Sequence, residues 1–430
     1  MENELQRIQQ RAQEHPEEKF TSLMKQIFDV EVLKASFRGL SGKKAPGVDG
    51  VRKDDYAKGV EEKIQDLSGR IRSMAYKPKP VRRVYIPKAN GKTRPLGIPS
   101  FEDRIVQDRV AQVLSAIWEP EFRKCSHGFR PKRSAHTALR ALHQVIMNEH
   151  TQYVVEADIK GFFDAVSHEH LMKFVNHRIA DPKLLRLIRR FLIGGVMEDG
   201  AFKATEEGTP QGGLVSPVLS NIYLHYVLDL WFEKRFAKSC SGTARLVRYA
   251  DDFVACFTEQ QDAERFLVEL KERLESFALQ LESSKTKYLP FGAKMLGAQH
   301  PPTFSFLGIT HTVTRSRKGR FKVGRRTDRK RFARSLKAVS AKLKALRTHG
   351  TSLMVAYIRR ALQGHINYYG VSENSHSVGN YHFRIQRLLC HWLNRRSQRK
   401  SCRWSTFGSW WDSLRMPKPR IVHSFYPVAA

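Results

Sequence analysis

Between residues 244 and 257 the chain reads ARLVRYADDFVACF. Two apolar arms flank two adjacent carboxylates, Asp251 and Asp252, and few folds admit that combination. Arms rich in β-branched and aromatic residues suit strands, and the centre suits a turn, so the stretch is expected to form a hairpin. A lone hairpin is unstable in water, so the arms need further strands and a layer of helices over them. The two acids repel each other and persist there only if something neutralises them. A nearby arginine, Arg245 or Arg248, is one candidate. A divalent cation is the other, because hard carboxylate oxygens suit it.

A second acid narrows the choice. Asp158 ends the apolar run of YVVEADIKGFFD, where a strand would emerge from the core. As a strand of the same sheet, that run would place Asp158 beside Asp251 and Asp252. Three converging carboxylates can hold two Mg²⁺ ions roughly 3.5–4 Å apart, the arrangement that serves in-line phosphoryl displacement.

The rest of the chain supplies the layers. Polar helices are expected over residues 1–75, broken by the turn-rich loop SGKKAPGVDG at 41–50. RRVYIPKANGKTRPLGIPS (82–100) alternates like a hairpin, and a helix is expected over 101–118. Ser167 is placed to cap a helix starting at VSHEHLMKFV. A Gly/Pro loop, GTPQGG, feeds a long apolar helix, and an amphipathic helix is expected near 260–280. The order strand, helix, hairpin, helix, strand implies an α+β layer: an antiparallel sheet with helices on one face. Past residue 325 helices take over, and Phe332, Leu336, Val339, Leu343 and Leu346 make one amphipathic stripe. The last 35 residues read as short and irregular.

Charge points to a polyanion. The 430 residues carry 75 Lys and Arg against 42 acids, a net +33. From His311 onward there are 27 basic residues against Asp328, Glu373 and Asp412, so that segment alone carries +24. A field this steep on a helical segment is the footprint of a nucleic-acid binder. There is no apolar run long enough for a membrane span, and the acidic, polar opening MENELQRIQQRAQEHPEEKF is not expected to act as a secretory or transit leader. Five scattered cysteines without a CxxC pair argue against both a disulfide framework and a structural zinc, and for a reduced cytoplasm. NGKT at 90–93 is not a phosphate-binding P-loop, because Ile86 stands where its first glycine is required.

Taken in order, ADIKGFFD, GTPQGGLVSPVLSNIYL, RYADDF and SSKTK resemble the palm of reverse transcriptases, in particular those encoded by bacterial group II introns. IPKANGKTRPLGIPS and SHGFRPKRSAHTAL resemble their fingers, GKKAPGVDG their N-terminal loop, and YIRRALQGHINYYG with IQRLLCHWLNRRSQRK their maturase or thumb domain. The resemblance implies a right-hand polymerase with an antiparallel palm sheet, followed by a helical thumb. The divisions expected are an N-terminal extension (1–75), fingers and palm (76–315), thumb or maturase domain (316–398) and a basic tail (399–430) that could bind DNA.

It also implies roles. Asp158, Asp251 and Asp252, with the Ile159 carbonyl, would hold two Mg²⁺, with Mn²⁺ as a substitute. Phe163 falls at the position of an aromatic gate against the ribose 2′-hydroxyl. Lys88 and Arg94 would grip the incoming triphosphate, Gln211 would support the nucleotide, and Lys285 would stand near the leaving pyrophosphate. The partners implied are group II intron RNA, an RNA template with a DNA primer, target DNA and dNTPs. No HNH endonuclease pattern occurs before Ala430, so priming from an existing DNA end is expected. Two alternatives stay open: a host-adopted reverse transcriptase for repair or defence, and a splicing-only maturase.

Overall fold

A computed structural model of the chain describes residues 2–87, 93–198, 200–204, 207–209, 212–396 and 402–426. The acid-tipped stretch is a hairpin of β6 (Ala244–Tyr249) and β7 (Asp252–Phe257). The earlier strands are β1 (Val81–Pro87), β2 (Thr93–Ile98), β3 (Tyr153–Asp158), β4 (Val196–Glu198) and β5 (Ala201–Lys203). The later ones are β8 (Lys287–Pro290), β9 (Phe304–Phe306), β10 (Ile309–Arg315) and β11 (Phe321–Thr327). The hairpin joins β3 and β8 in a sheet ordered β6-β7-β3-β8, antiparallel throughout.

Successive side chains of this sheet enter different cores. Val155, Ala157, Leu246, Phe253, Ala255 and Phe257 pack into a large core with the helices Phe101–Trp118, His168–Asn176, Pro182–Ile193 and Gln260–Glu275. Val154, Val247, Val254 and Cys256 face the other way, toward the helix Ala135–Asn148 and the sheet β11-β10-β9. Cover on one face was the expectation; both faces are covered. That is why the arms read as continuous apolar runs rather than as an alternation.

The hairpin expected at 82–100 is β1–β2, with Ile86 opposite Arg94. Its tip, with Lys88, lies outside the described residues. β1 also pairs in parallel with β4, which pairs with β5. Ser167 caps its helix as expected, accepting from the His170 N–H.

One carboxylate ties the N-terminal segment to this body. Asp181 Oδ1 accepts from the N–H groups of Lys183 and Leu184 at 3.0 and 3.2 Å, capping the helix Pro182–Ile193. Its Oδ2 accepts from Leu23 and Met24 at 2.8 and 3.2 Å. Asp181→Ala is expected to lower stability by about 1–2 kcal/mol. It should also speed amide exchange across residues 20–30, read by mass spectrometry; unchanged exchange there would refute the tie.

The hairpin β10–β11 pairs Arg315 with Phe321, so a division at 315/316 falls inside it, and the all-helical part begins at Arg329. The stripe behaves as its spacing predicts. In the helix Arg329–Leu346, Val339 and Leu343 are buried against Met354, Ile358 and Leu362 of Thr351–Tyr369 and against Tyr381, Ile385 and Leu389 of Ser375–Asn394. The tail differs from expectation: Trp404–Ser413 is a helix. Phe407 and Trp411, four apart, reach the same core, whereas Trp404 stays 48% exposed. Among the described residues no helix is long and apolar enough to cross a membrane.

Candidate active site

The pairing of β3 with β7 sets Asp158 directly opposite Asp252. The β6–β7 turn is Ala250 and Asp251, between the paired Tyr249 and Asp252. Tight two-residue hairpin turns favour positive φ at the first central residue, a position that suits glycine. Ala250 adopts φ 57 there. A side chain in that conformation costs roughly 1–2 kcal/mol, so the turn has to be held.

The hold lies beneath it. The fully buried Arg248 bonds Asp229 through Nε and Nη2 at 2.7 and 2.5 Å, and Ser126 Oγ at 2.8 Å. Its Nη1 donates to Asn221 Oδ1 at 3.1 Å and to the Ala250 carbonyl at 2.9 Å. Asn221 Nδ2 in turn donates to the Gly128 carbonyl at 2.7 Å. A Cβ on Gly128 would lie 2.4 Å from Ala250 N, so only glycine lets that segment pass against the turn. Neither flanking arginine neutralises the acids by direct pairing. Arg248 is committed to Asp229, and Arg245 pairs with Glu149 at 2.7 Å.

The acids therefore sit under electrostatic stress. Burial raises the Asp251 carboxyl, Asp158 adds to the rise, and Arg94 opposes it. Asp252, exposed to the cleft yet crowded on its floor, is pushed up to about 6, first by partial desolvation and then by Asp251 and Asp158. Lys285 Nζ donates to Asp158 Oδ2, and that bond raises the lysine.

A cleft of about 740 Å³ opens over the acids. Ile86, Pro87, Arg94 and Pro95 line it from β1–β2, residues 158–164 and Lys285 from the sheet end, and Arg331 and Arg334 from the first long C-terminal helix. Phe163 is on the wall but mostly buried, its ring 5.4 Å from that of Phe162 in an edge contact. Lys160 N donates to the Gln280 carbonyl, and Glu282 N to the Asp158 carbonyl, both at 2.8 Å. These bonds flank the Ile159–Leu281 bridge, so the N–H and C=O of Ile159 itself point away from Leu281, to the side of the acid turn.

Asp158, Ile159, Phe163, Arg94, Asp251, Asp252 and Lys285 thus share one cleft, whereas Lys88 and Gln211 lie outside the described residues. Among the described residues no three His, Cys, Asp or Glu side chains are already gathered as a metal cage. The donor chemistry nevertheless fits a hard divalent ion: three carboxylates at one sheet end, a carbonyl turned toward them, and a mutual repulsion that such an ion relieves. Arg331 and Arg334 escaped the sequence reading. Their signal is a basic pair at i, i+3 in the first turns of a helix whose apolar stripe starts at Phe332.

Comparison with known proteins agrees with this geometry. Residues 86–311 match the family model described as reverse transcriptase (RNA-dependent DNA polymerase). The group II intron-encoded protein LtrA of Lactococcus lactis subsp. cremoris is 42% identical over 232 residues, 53% of this chain and 38% of that one. Protein YkfC of Escherichia coli K12 is 42% identical over 211 residues, 48% of this chain and 54% of its own. The mitochondrial nuclear intron maturase 4 of Arabidopsis thaliana is 31% identical over 131 residues, 30% of this chain and 16% of its own. The chain thus spans about half or less of the length of these relatives. The family match takes in over half of the chain, including all three acids and most of the cleft wall, and the chain belongs to the reverse transcriptase (RNA-dependent DNA polymerase) family.

Proposed function

We propose that the chain is an RNA-directed DNA polymerase of the group II intron type, copying RNA into cDNA and binding its intron RNA as a maturase. The observation that carries this is the register of Asp158 against Asp252, with Asp251 in the adjoining turn, under a cleft that also holds Arg94 and Lys285. Mg²⁺, or Mn²⁺ in its place, held by the three aspartates and the Ile159 carbonyl, would acidify the primer 3′-hydroxyl and offset charge on the phosphates. Arg94, with a planar fork of donors, grips the triphosphate of the dNTP, and Lys88 on the same hairpin assists. Gln211 supports the nucleotide. Lys285 leaves Asp158 to meet the pyrophosphate, and Phe163 lies under the sugar.

Arg331 and Arg334 face the primer–template backbone from the thumb. The divisions at 75 and 398 fit this function, with the thumb starting at Arg329 beyond the β10–β11 hairpin rather than at 316, and with the loop at 41–50 and the +24 C-terminal segment holding intron RNA and target DNA in the bacterial cytoplasm. The likeness to a group II intron-encoded protein and to an intron maturase supports the RNA partner.

Sugar selection tests the polymerase. Phe163→Ala is expected to raise rNTP use relative to dNTP by about ten- to a hundredfold in primer extension. Unchanged selectivity would remove Phe163 as the gate.

Acid titration tests the metal site. The Asp252 carboxyl, at about 6 against 3.8 in an unfolded chain, holds a proton that the unfolded chain has released. Its contribution to stability is therefore largest below about pH 4 and is lost as pH rises through 6. In EDTA, Asp252→Asn is expected to melt above wild type at pH 7.5, with the advantage shrinking toward pH 5. Mg²⁺ should then stabilise wild type at pH 7.5 and leave Asp252→Asn unmoved. A wild-type Tm indifferent to Mg²⁺ would count against the site.

A further inference from the structure

Beside the acid turn stands an aromatic side chain that does not line the acid cleft. Phe129 is 53% exposed, on a left-handed backbone with φ 55. The fold fixes it there. Arg248 N donates to the Cys125 carbonyl and His127 N to the Arg248 carbonyl, both at 2.8 Å, so residues 125–127 run parallel to the edge strand β6. The segment leaves the sheet at the end where Ala250 and Asp251 lie. Gly128 is wedged against Ala250 N and its carbonyl is held by Asn221. On the other side the buried Arg130 bonds Glu119 and the carbonyls of Arg123 and Ser126.

Phe129 is therefore clamped between two fixed neighbours in a conformation that side chains rarely adopt, with its ring in solvent. Retained strain of this kind collects where a ligand is met. Lys132, three residues on, is exposed and itself left-handed at φ 57. A fixed aromatic face followed by an exposed cation suits unpaired nucleic acid, with a base on the ring and a phosphate on the lysine.

Which strand it meets follows from position. The strand bearing the reacting hydroxyl has to enter the acid cleft, and Phe129 is not among the residues lining that cleft. A strand that passes Phe129 runs along the other flank of the same turn. We infer that Phe129 is a template-binding residue, stacking on the RNA template next to the base being copied, with Lys132 on its backbone phosphate. This deepens the polymerase reading and rests on it.

Glycine separates binding from folding here, because it removes the ring and relieves the left-handed backbone. Phe129→Gly is expected to melt no lower than wild type. By fluorescence anisotropy it should bind a DNA primer annealed to an RNA template with a single-stranded 5′ overhang about five- to a hundredfold more weakly. The KM for that duplex should rise by a similar factor with kcat less affected, and Phe129→Trp should keep wild-type binding. If the glycine variant melts lower, Phe129→Ala, which keeps the wild-type strain, serves in its place. A folded variant that binds and extends the overhanging duplex like wild type overturns the inference. Wild type that extends no primer at all would instead defeat the polymerase reading.

Discussion

Asp251→Ala is expected to lose primer extension by at least about a thousandfold, while binding a primer–template duplex no more weakly than wild type. The separation follows from where the side chain sits. Asp251 lies in the two-residue turn beside the registered pair Asp158 and Asp252, and its carboxyl is raised by burial, so folding gains nothing from its charge. A binding surface for a polyanion likewise gains nothing from an acid in its path. Only chemistry that gathers cations among these groups needs it. Single-turnover extension and anisotropy on one preparation measure both quantities. Retained extension would refute the role of the acid, and parallel loss of binding would mean that Asp251 shapes the cleft instead.

Arg248→Met is the second large effect. Arg248 and Asp229 are both fully buried, and the arginine also holds Asn221, Ser126 and the Ala250 carbonyl. Removing the cation strands Asp229 in the core, a change expected to cost about 3–5 kcal/mol. It also releases the strained turn that carries Asp251. Thermal melts should show the fall, and extension should drop even at temperatures where the variant stays folded. Adding Asp229→Leu removes the stranded acid and should recover much of the stability. It should recover little of the activity, because the bond to Ala250 is still missing. Full recovery of extension in the double variant would show that the turn does not depend on that bond.

The difference between these two sites marks what the sequence makes legible. Asp158, Asp251 and Asp252 stand out because each ends or joins an apolar run, and an acid in that setting implies exposure at a strand end. The helix Arg329–Leu346 stands out because its stripe repeats at helical spacing. Arg248 was legible as a candidate partner, but its true partner was not. Asp229 lies 19 residues away within the apolar run HYVLDLWF, and nothing local shows that helix and strand bring the two together. Gly128 is invisible for the same reason: its need for glycine comes from Ala250, far along the chain. The second cover of the sheet by β9–β11 depends on tertiary packing, which short apolar segments do not encode locally. Arg331 and Arg334 read as an ordinary solvated pair until the helix is set against the cleft.

Whether the acid cleft polymerises is read most directly from extension of a labelled DNA primer on an RNA template by wild-type protein with Mg²⁺ and dNTPs. Full-length cDNA is expected with dNTPs, little product with rNTPs, and none in EDTA. Tight, salt-sensitive binding of the same duplex with no extension under any divalent ion would contradict the polymerase reading, leaving an RNA-binding protein with a polymerase fold.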